Sequence, residues 1–156
     1  MTSKFVVAAL FLAACGAMQQ HETDNLADAI RGYNEGVHWE RWEVAADAVP
    51  KKERSAFIDE HDENSKDLKI TEYDIVKVDK KGPKSARVQV KMSWYKTSEG
   101  TVHQTSSIQT WELQGKDWMM VDESRLRGAE MPGLQEPIDV DHVAKPAKPA
   151  ATSMKD

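Results

Sequence analysis

Between residues 86 and 94 the chain alternates without a break. Ala86, Val88, Val90, Met92 and Trp94 are interleaved with Arg87, Gln89, Lys91 and Ser93, and Tyr95 extends the second set. Side chains two apart share one face of an extended chain, so this stretch reads as a strand with one buried and one wetted face. Its surroundings read the same way. Residues 70–78 form a strand that ends at the turn signal Asp79-Lys80-Lys81-Gly82-Pro83. Ser98-Glu99-Gly100 is a hairpin loop into residues 102–113, and Gln114-Gly115-Lys116-Asp117 turns again into residues 118–121. Short turns between successive strands predict an antiparallel meander of about four strands.

Upstream the period is helical. Leu26, Ile30, Tyr33 and Val37 fall on one helix face, with Thr23 or Asp24 placed to cap it and Gly36 weakening its end. A short second segment covers residues 38–48. Pro50 suits the first turn of a third helix, which runs through Arg54, Phe57, Ile58 and His61 and loses its apolar face at Asn64-Ser65. Helices grouped ahead of strands predict an α+β fold, with N-terminal helices packed on an antiparallel sheet.

The first residues belong to a different grammar. Lys4 precedes an uninterrupted apolar run that closes on Leu12-Ala13-Ala14-Cys15. The run is about ten residues long, half the ~20 needed to span a bilayer, and its layout is that of a secretory leader. Leu, two small residues and Cys directly after the apolar core resemble the lipobox of bacterial lipoproteins. The alternative is an ordinary cleaved signal in which Cys15 stands by chance. The resemblance implies a signal peptide at residues 1–14 and a mature chain that begins at Cys15. That cysteine would carry a diacylglyceryl group and a further acyl chain, three chains where two suffice for stable anchoring in the membrane. Cys15 is the only cysteine, so no disulfide can form within the chain, and lipidation would consume a thiol that is otherwise a liability in an oxidising compartment. Gly16 stands where an aspartate would resemble an inner-membrane retention signal. The expected location is the outer membrane, facing the periplasm.

Without residues 1–14 the chain loses one base, Lys4, leaving 20 basic against 26 acidic residues and a net charge of −6. That balance speaks against nucleic acid as a partner and against electrostatic attachment to anionic headgroups. The five tryptophans, Trp39, Trp42, Trp94, Trp111 and Trp118, mark the extent of the core. Residues 15–22 read as a polar tether and residues 23–128 as the domain. Residues 129–156, which include the Lys/Pro-rich stretch 145–149, read as an extended tail.

Trp42-Glu43-Val44-Ala45 in the helical part, the strand motif Thr110-Trp111-Glu112 and the hairpin Gly115-Lys116-Asp117-Trp118 together resemble the nuclear-transport-factor-2-like (cystatin-like cone) superfamily. The resemblance implies helices in the concave side of a bent sheet, a pocket at its wide end, and pairing of sheets in a homodimer. Cone-fold enzymes such as ketosteroid isomerases, polyketide cyclases and scytalone dehydratase set an Asp or His base and a Tyr or Asp donor in that pocket. Tyr33, Asp47, His61, Tyr95 and His103 are the candidates here, and none lies in a motif that carries a family role.

The face of residues 86–94 that meets the helices offers no titratable group. Its partner strand contributes either Gln104, Ser106, Ile108 and Thr110 or His103, Thr105, Ser107, Gln109 and Trp111, according to a one-residue register choice. The second register sets His103 beside Trp94 at the pocket mouth; otherwise His103 is a solvated residue near a turn. His61-Asp62-Glu63 cannot converge on one metal ion, because successive helical residues point about 100° apart. Asp59, Glu60, Asp62 and Glu63 read as a solvated helix face. Trp39 and Trp42 are core residues or one wall of a ligand groove. No phosphate loop or nucleophile elbow is present, and no cofactor, metal or catalytic residue is assigned.

The expectation is a lipid-anchored envelope protein whose domain binds or scaffolds an envelope protein or a small apolar ligand, with a membrane-tethered isomerase or cyclase as the alternative. Cys15→Ser should move the protein from the membrane fraction to the soluble fraction after cell fractionation. Unchanged membrane retention would remove Cys15 as the anchor.

Overall fold

The computed structural model describes residues 14–136, with side chains from residue 25 onward. The leader up to Ala13, the side chains of residues 14–24 with the thiol of Cys15 among them, and residues 137–156 lie outside the described residues. The backbone is helical from Ala14 on, so the first helix neither starts at a Thr23 or Asp24 cap nor leaves residues 15–22 as an extended tether. Three helices, α1 (Ala14–His38), α2 (Trp42–Ala46) and α3 (Arg54–Asn64), precede four strands, β1 (Leu68–Gly82), β2 (Ser85–Lys96), β3 (Val102–Gln114) and β4 (Asp117–Gly128). The strands form one antiparallel sheet in the order β1-β2-β3-β4. The chain is therefore an α+β protein with its helices packed on one face of a curved sheet. Register shifts along β1–β2 and β3–β4 supply the bends, since each extra residue kinks its strand.

The alternating stretch is the centre of the core. Ala86, Val88 and Val90 are completely buried, and Met92 and Trp94 nearly so. Against them lies the predicted helical stripe, with Leu26, Ile30 and Tyr33 buried and Val37 packed at the edge. Cross-strand partners run from Trp94↔His103 through Met92↔Thr105, Val90↔Ser107 and Val88↔Gln109 to Ala86↔Trp111. Of the two registers open in the sequence, the structure takes the second. The inner face of β3 is consequently polar along most of its length.

Gly36 does more than weaken a helix end. A Cβ there would lie 2.8 Å from the backbone nitrogen of Ala45, so its absence lets α1 and α2 touch. Between them the Arg41 amide donates to the Gly36 carbonyl (2.8 Å) and the Glu40 amide to that of Val37 (3.2 Å), with Glu40 at φ 54°. This is the Schellman pattern that closes a helix and reverses the chain. Trp39, placed on the outside of that turn, is 64 % exposed and stacks on His38, so it belongs neither to the core nor to a groove. The loop after α2 then docks on the sheet, where the Met120 amide donates to the Ala48 carbonyl at 2.7 Å.

β4 runs well past the predicted residues 118–121, and the chain does not leave the domain at its end. Residues 129–136 turn back along the sheet. The Ala129 amide donates to the Gln104 carbonyl, the Arg125 amide to that of Gln135, and the Arg125 guanidinium pairs with the Glu136 carboxylate. Thr105 accepts from the Trp94 indole (2.9 Å) and donates to the Ala129 carbonyl (2.7 Å), which ties this return to the core. Met131 and Leu134 pack against the buried cluster.

Two glycines one turn apart on α1 should respond in opposite directions. Gly36→Ala pushes a methyl into backbone and should cost about 1–3 kcal/mol. Gly32→Ala meets nothing within 4 Å and should gain up to about 1 kcal/mol from helix propensity. Thermal melts of the two variants check both signs.

Candidate functional site

A cavity of about 260 Å³ opens between the helices, the inner face of the sheet and the returning segment. Its apolar wall follows from the two periodicities. The helical stripe contributes Tyr33 and Val37 from α1 and Phe57 and His61 from α3. The period-two face contributes Met92, and Met120 comes from β4. Met131 and Leu134 close it from the returning segment, and Trp42 stands at its side. The rings form a chain of contacts, with centroids 5.9 Å apart for Tyr33–Phe57, 4.0 Å for Phe57–His61 and 5.4 Å for His61–Trp42.

One stretch of the lining is polar and tightly organised. Glu123 on β4 sits opposite Gln109 on β3. The Tyr33 hydroxyl donates to Glu123 Oε2 (3.1 Å), while Ser107 Oγ (2.7 Å) and Gln109 Nε2 (3.2 Å) donate to Oε1. Gln109 Nε2 also donates to Asn34 Oδ1 (2.9 Å), and Gln109 Oε1 accepts from Asn34 Nδ2 (3.3 Å) and the Trp111 indole (3.2 Å). The remaining Asn34 proton goes to the Ile30 carbonyl at 2.8 Å. The Gln109 amide thus uses both donors and both acceptor positions, as a buried side chain must if it is not to cost the fold a few kcal/mol. A carboxylate is held by three neutral donors beside the cavity.

Burial drives the protonation states of the two titratable rings. It pushes the Tyr33 phenol well above its usual range, and the charge and hydrogen bond of Glu123 act in the same direction. Tyr33 therefore stays a donor, with its proton committed to Glu123. Burial also pushes His61 below the usual imidazole range, opposed by its bond to the Phe57 carbonyl and by Glu123 and Glu60. Since a carbonyl only accepts, the 2.9 Å contact from His61 Nδ1 to Phe57 O puts the ring proton on Nδ1 and leaves Nε2 bare in the neutral form.

Of the residues singled out in the sequence, Tyr33 and His61 meet in the cavity wall. Asp47 is exposed and pairs with Arg54 at 3.5 Å. Tyr95 is half-buried and does not line the cavity. His103 does stand beside Trp94, with ring centroids 4.7 Å apart, yet it also lies away from the cavity, 3.7 Å from Glu99 Oε2. Asn34, Ser107, Gln109 and Glu123 are the additions. Ser107 and Gln109 had a signal, two polar residues on one of the two possible inner faces of β3. Glu123 had none, because the strand that carries it reads as ending at Val121. Glu60, expected on a solvated face, lines the cavity rim. Among the described residues no group of three His, Cys, Asp or Glu is placed to hold a metal ion, and no helix is long and apolar enough to cross a membrane.

Compared with known proteins, the chain matches no family model, and no curated protein is significantly similar to it.

The direction of the His61 shift sets a pH dependence. The unfolded chain takes up its proton near pH 6.5, before the folded protein does. The stability tied to neutral His61 is therefore present above that pH and is lost as pH falls through the lower folded value. His61→Phe keeps an aromatic ring in the wall but cannot titrate. Between pH 7.5 and pH 5 its melting temperature should fall less than that of the unaltered protein, as measured by circular dichroism.

Proposed function

We propose that this is a lipid-anchored protein of the bacterial envelope that binds a small, largely apolar molecule in the cavity between its helices and its sheet. One observation carries the reading: an open cavity of about 260 Å³, walled by Phe57, Met92, Met120 and Leu134, with Glu123 in its lining held by three neutral donors. Concave, mostly apolar sites with a few fixed polar groups are the usual form of small-molecule sites. The anchor rests on the likeness of Leu12-Ala13-Ala14-Cys15 to a lipobox, with Cys15 as the attachment point and the periplasmic face of the outer membrane as its place. The cone-like superfamily remains the proposed kinship, supported by helices lying against a curved four-stranded meander.

Catalysis of the isomerase or cyclase type is a second reading, and the Tyr33–Glu123 pair in the cavity wall favours it. Two features weigh on the side of binding. The phenol proton is already committed to Glu123, so it is not free to polarise a ligand carbonyl. Glu123 in turn already accepts three hydrogen bonds, so both of its oxygens are engaged before a substrate arrives.

The neutral fluorescent probe N-phenyl-1-naphthylamine tests the binding reading on the chain from Gly16 onward. Saturable enhancement at one site is expected, and Ala56→Trp, which fills the cavity from an exposed position of α3, should reduce it at least tenfold. Enhancement that Ala56→Trp leaves unchanged would place the probe elsewhere and count against the cavity as the site.

A further inference from the structure

The charges that line the cavity are all of one sign. Glu40, Glu53, Glu60, Asp122 and Glu123 contribute carboxylates, and neither lysine nor arginine lines it. Glu40 is paired with Lys69 at 2.6 Å and Glu53 with Lys52 at 3.4 Å. Among the described residues, Glu60, Asp122 and Glu123 have no cationic side chain within ion-pair distance. Glu123 is the innermost in character: it is half-buried, and every group bonded to it is neutral. Neutral dipoles fix its position and orientation without cancelling its charge. Where an occupant displaces water from the cavity, such a charge acts on it more strongly than it would at a surface.

The apolar wall has a matching property. Tyr33, Phe57 and Trp42 are among the cavity's lining residues, and a cation near the face of such a ring gains roughly 0.5–2 kcal/mol, more as water is excluded. An anion gains nothing from these faces and is repelled by the three unpaired carboxylates. A neutral apolar molecule gains burial alone. Aromatic rings and a held carboxylate in the lining of one cavity favour the same class of occupant.

We propose that the cavity binds an organic ammonium ion, with its charge between Glu123 and the aromatic rings and its apolar body against Met92, Met120 and Leu134. The inference rests on the reading of the cavity as a small-molecule site and names the class of ligand it takes. A free ammonium compound and the headgroup of a choline lipid share this chemistry. The phosphate of a headgroup would face the acidic rim at Glu60 and Asp122, so the free cation is the expected form.

The test is calorimetric titration of the mature lipidated chain in uncharged detergent micelles with four water-soluble probes. These are benzyltrimethylammonium, benzyl alcohol, phenylacetate and phosphocholine. The cation should bind about tenfold or more tightly than the alcohol, phenylacetate should not bind, and phosphocholine should be weaker than the cation. Glu123→Gln should bring the cation down to the level of the alcohol and leave the alcohol unchanged. Should that variant fail to fold, Phe57→Leu serves instead, since it keeps an apolar wall but removes a ring, and the preference for the cation should fall several-fold. Alcohol or phenylacetate binding as tightly as the cation overturns the proposal while the cavity stands as a binding site. Phosphocholine binding as tightly as the cation overturns the free-cation form. Failure of all four probes, with N-phenyl-1-naphthylamine still bound, also overturns the proposal. Failure of all five removes the small-molecule reading itself.

Discussion

The register of β3 on β2 is the constraint on which the site depends. With Val88 opposite Gln109 and Val90 opposite Ser107, two polar side chains are turned into the layer between sheet and helices. They are there at full burial, Gln109 at 1 % and Ser107 at 0 % exposure. A shift of one residue would put Ser106 and Ile108 inward and turn Gln109 to the other face. The polar side chains around them answer this placement. Asn34 on α1 supplies the amide that matches Gln109, Trp111 supplies an indole donor, and Glu123 accepts what remains. A residue on a helix and a residue on the last strand are thereby committed to specific partners on the third.

Such a network is costly if any member is misplaced, because an unpaired buried polar group loses its hydration with nothing in return. The same cost makes it selective. An apolar interface between α1 and β3 would tolerate sliding and rotation, whereas the reciprocal Asn34–Gln109 amide pair admits one alignment. That alignment carries Tyr33, adjacent to Asn34, edge-on to Trp111 at 5.8 Å and into bonding distance of Glu123. The cavity wall is in this sense a consequence of how the helix is indexed on the sheet.

Much of the fold was legible because it follows from periodicity. The Leu26–Ile30–Tyr33–Val37 stripe and the alternation from Ala86 to Trp94 each name a buried face without reference to anything distant. The features that were not legible all depend on long-range partners. β3 carries polar residues on both possible faces, so only pairing with β2 settles which is inward. β4 continues through Asp122-Glu123-Ser124-Arg125 because β3 and the returning chain bond its backbone, although its own side chains give little sign of a strand. Residues 129–136 have few apolar side chains, yet Thr105 and Arg125 hold them against the domain. Trp39 misleads in the other direction, since an aromatic next to a Schellman turn is placed by the turn and faces solvent. Tyr33 and His61 were among the residues singled out, but nothing in the sequence joins them to Glu123, ninety positions from Tyr33.

The character of residue 123 separates structure from function. Its structural task is to accept hydrogen bonds on both oxygens, from Ser107 and Gln109 on Oε1 and from Tyr33 on Oε2, whereas a glutamine offers a single acceptor oxygen. The negative charge that comes with two acceptor oxygens brings a desolvation cost that no cationic side chain among the described residues offsets by an ion pair. Glu123 lines the cavity, so an outside molecule that enters it can reach that charge. The donors keep the carboxylate immobile in the absence of any partner. An arriving cation would therefore meet a preformed site, with little ordering of side chains left to oppose its binding. Stability and the proposed recognition would draw on the same oxygens, the first through neutral donors that fix them and the second through the charge those donors leave uncancelled.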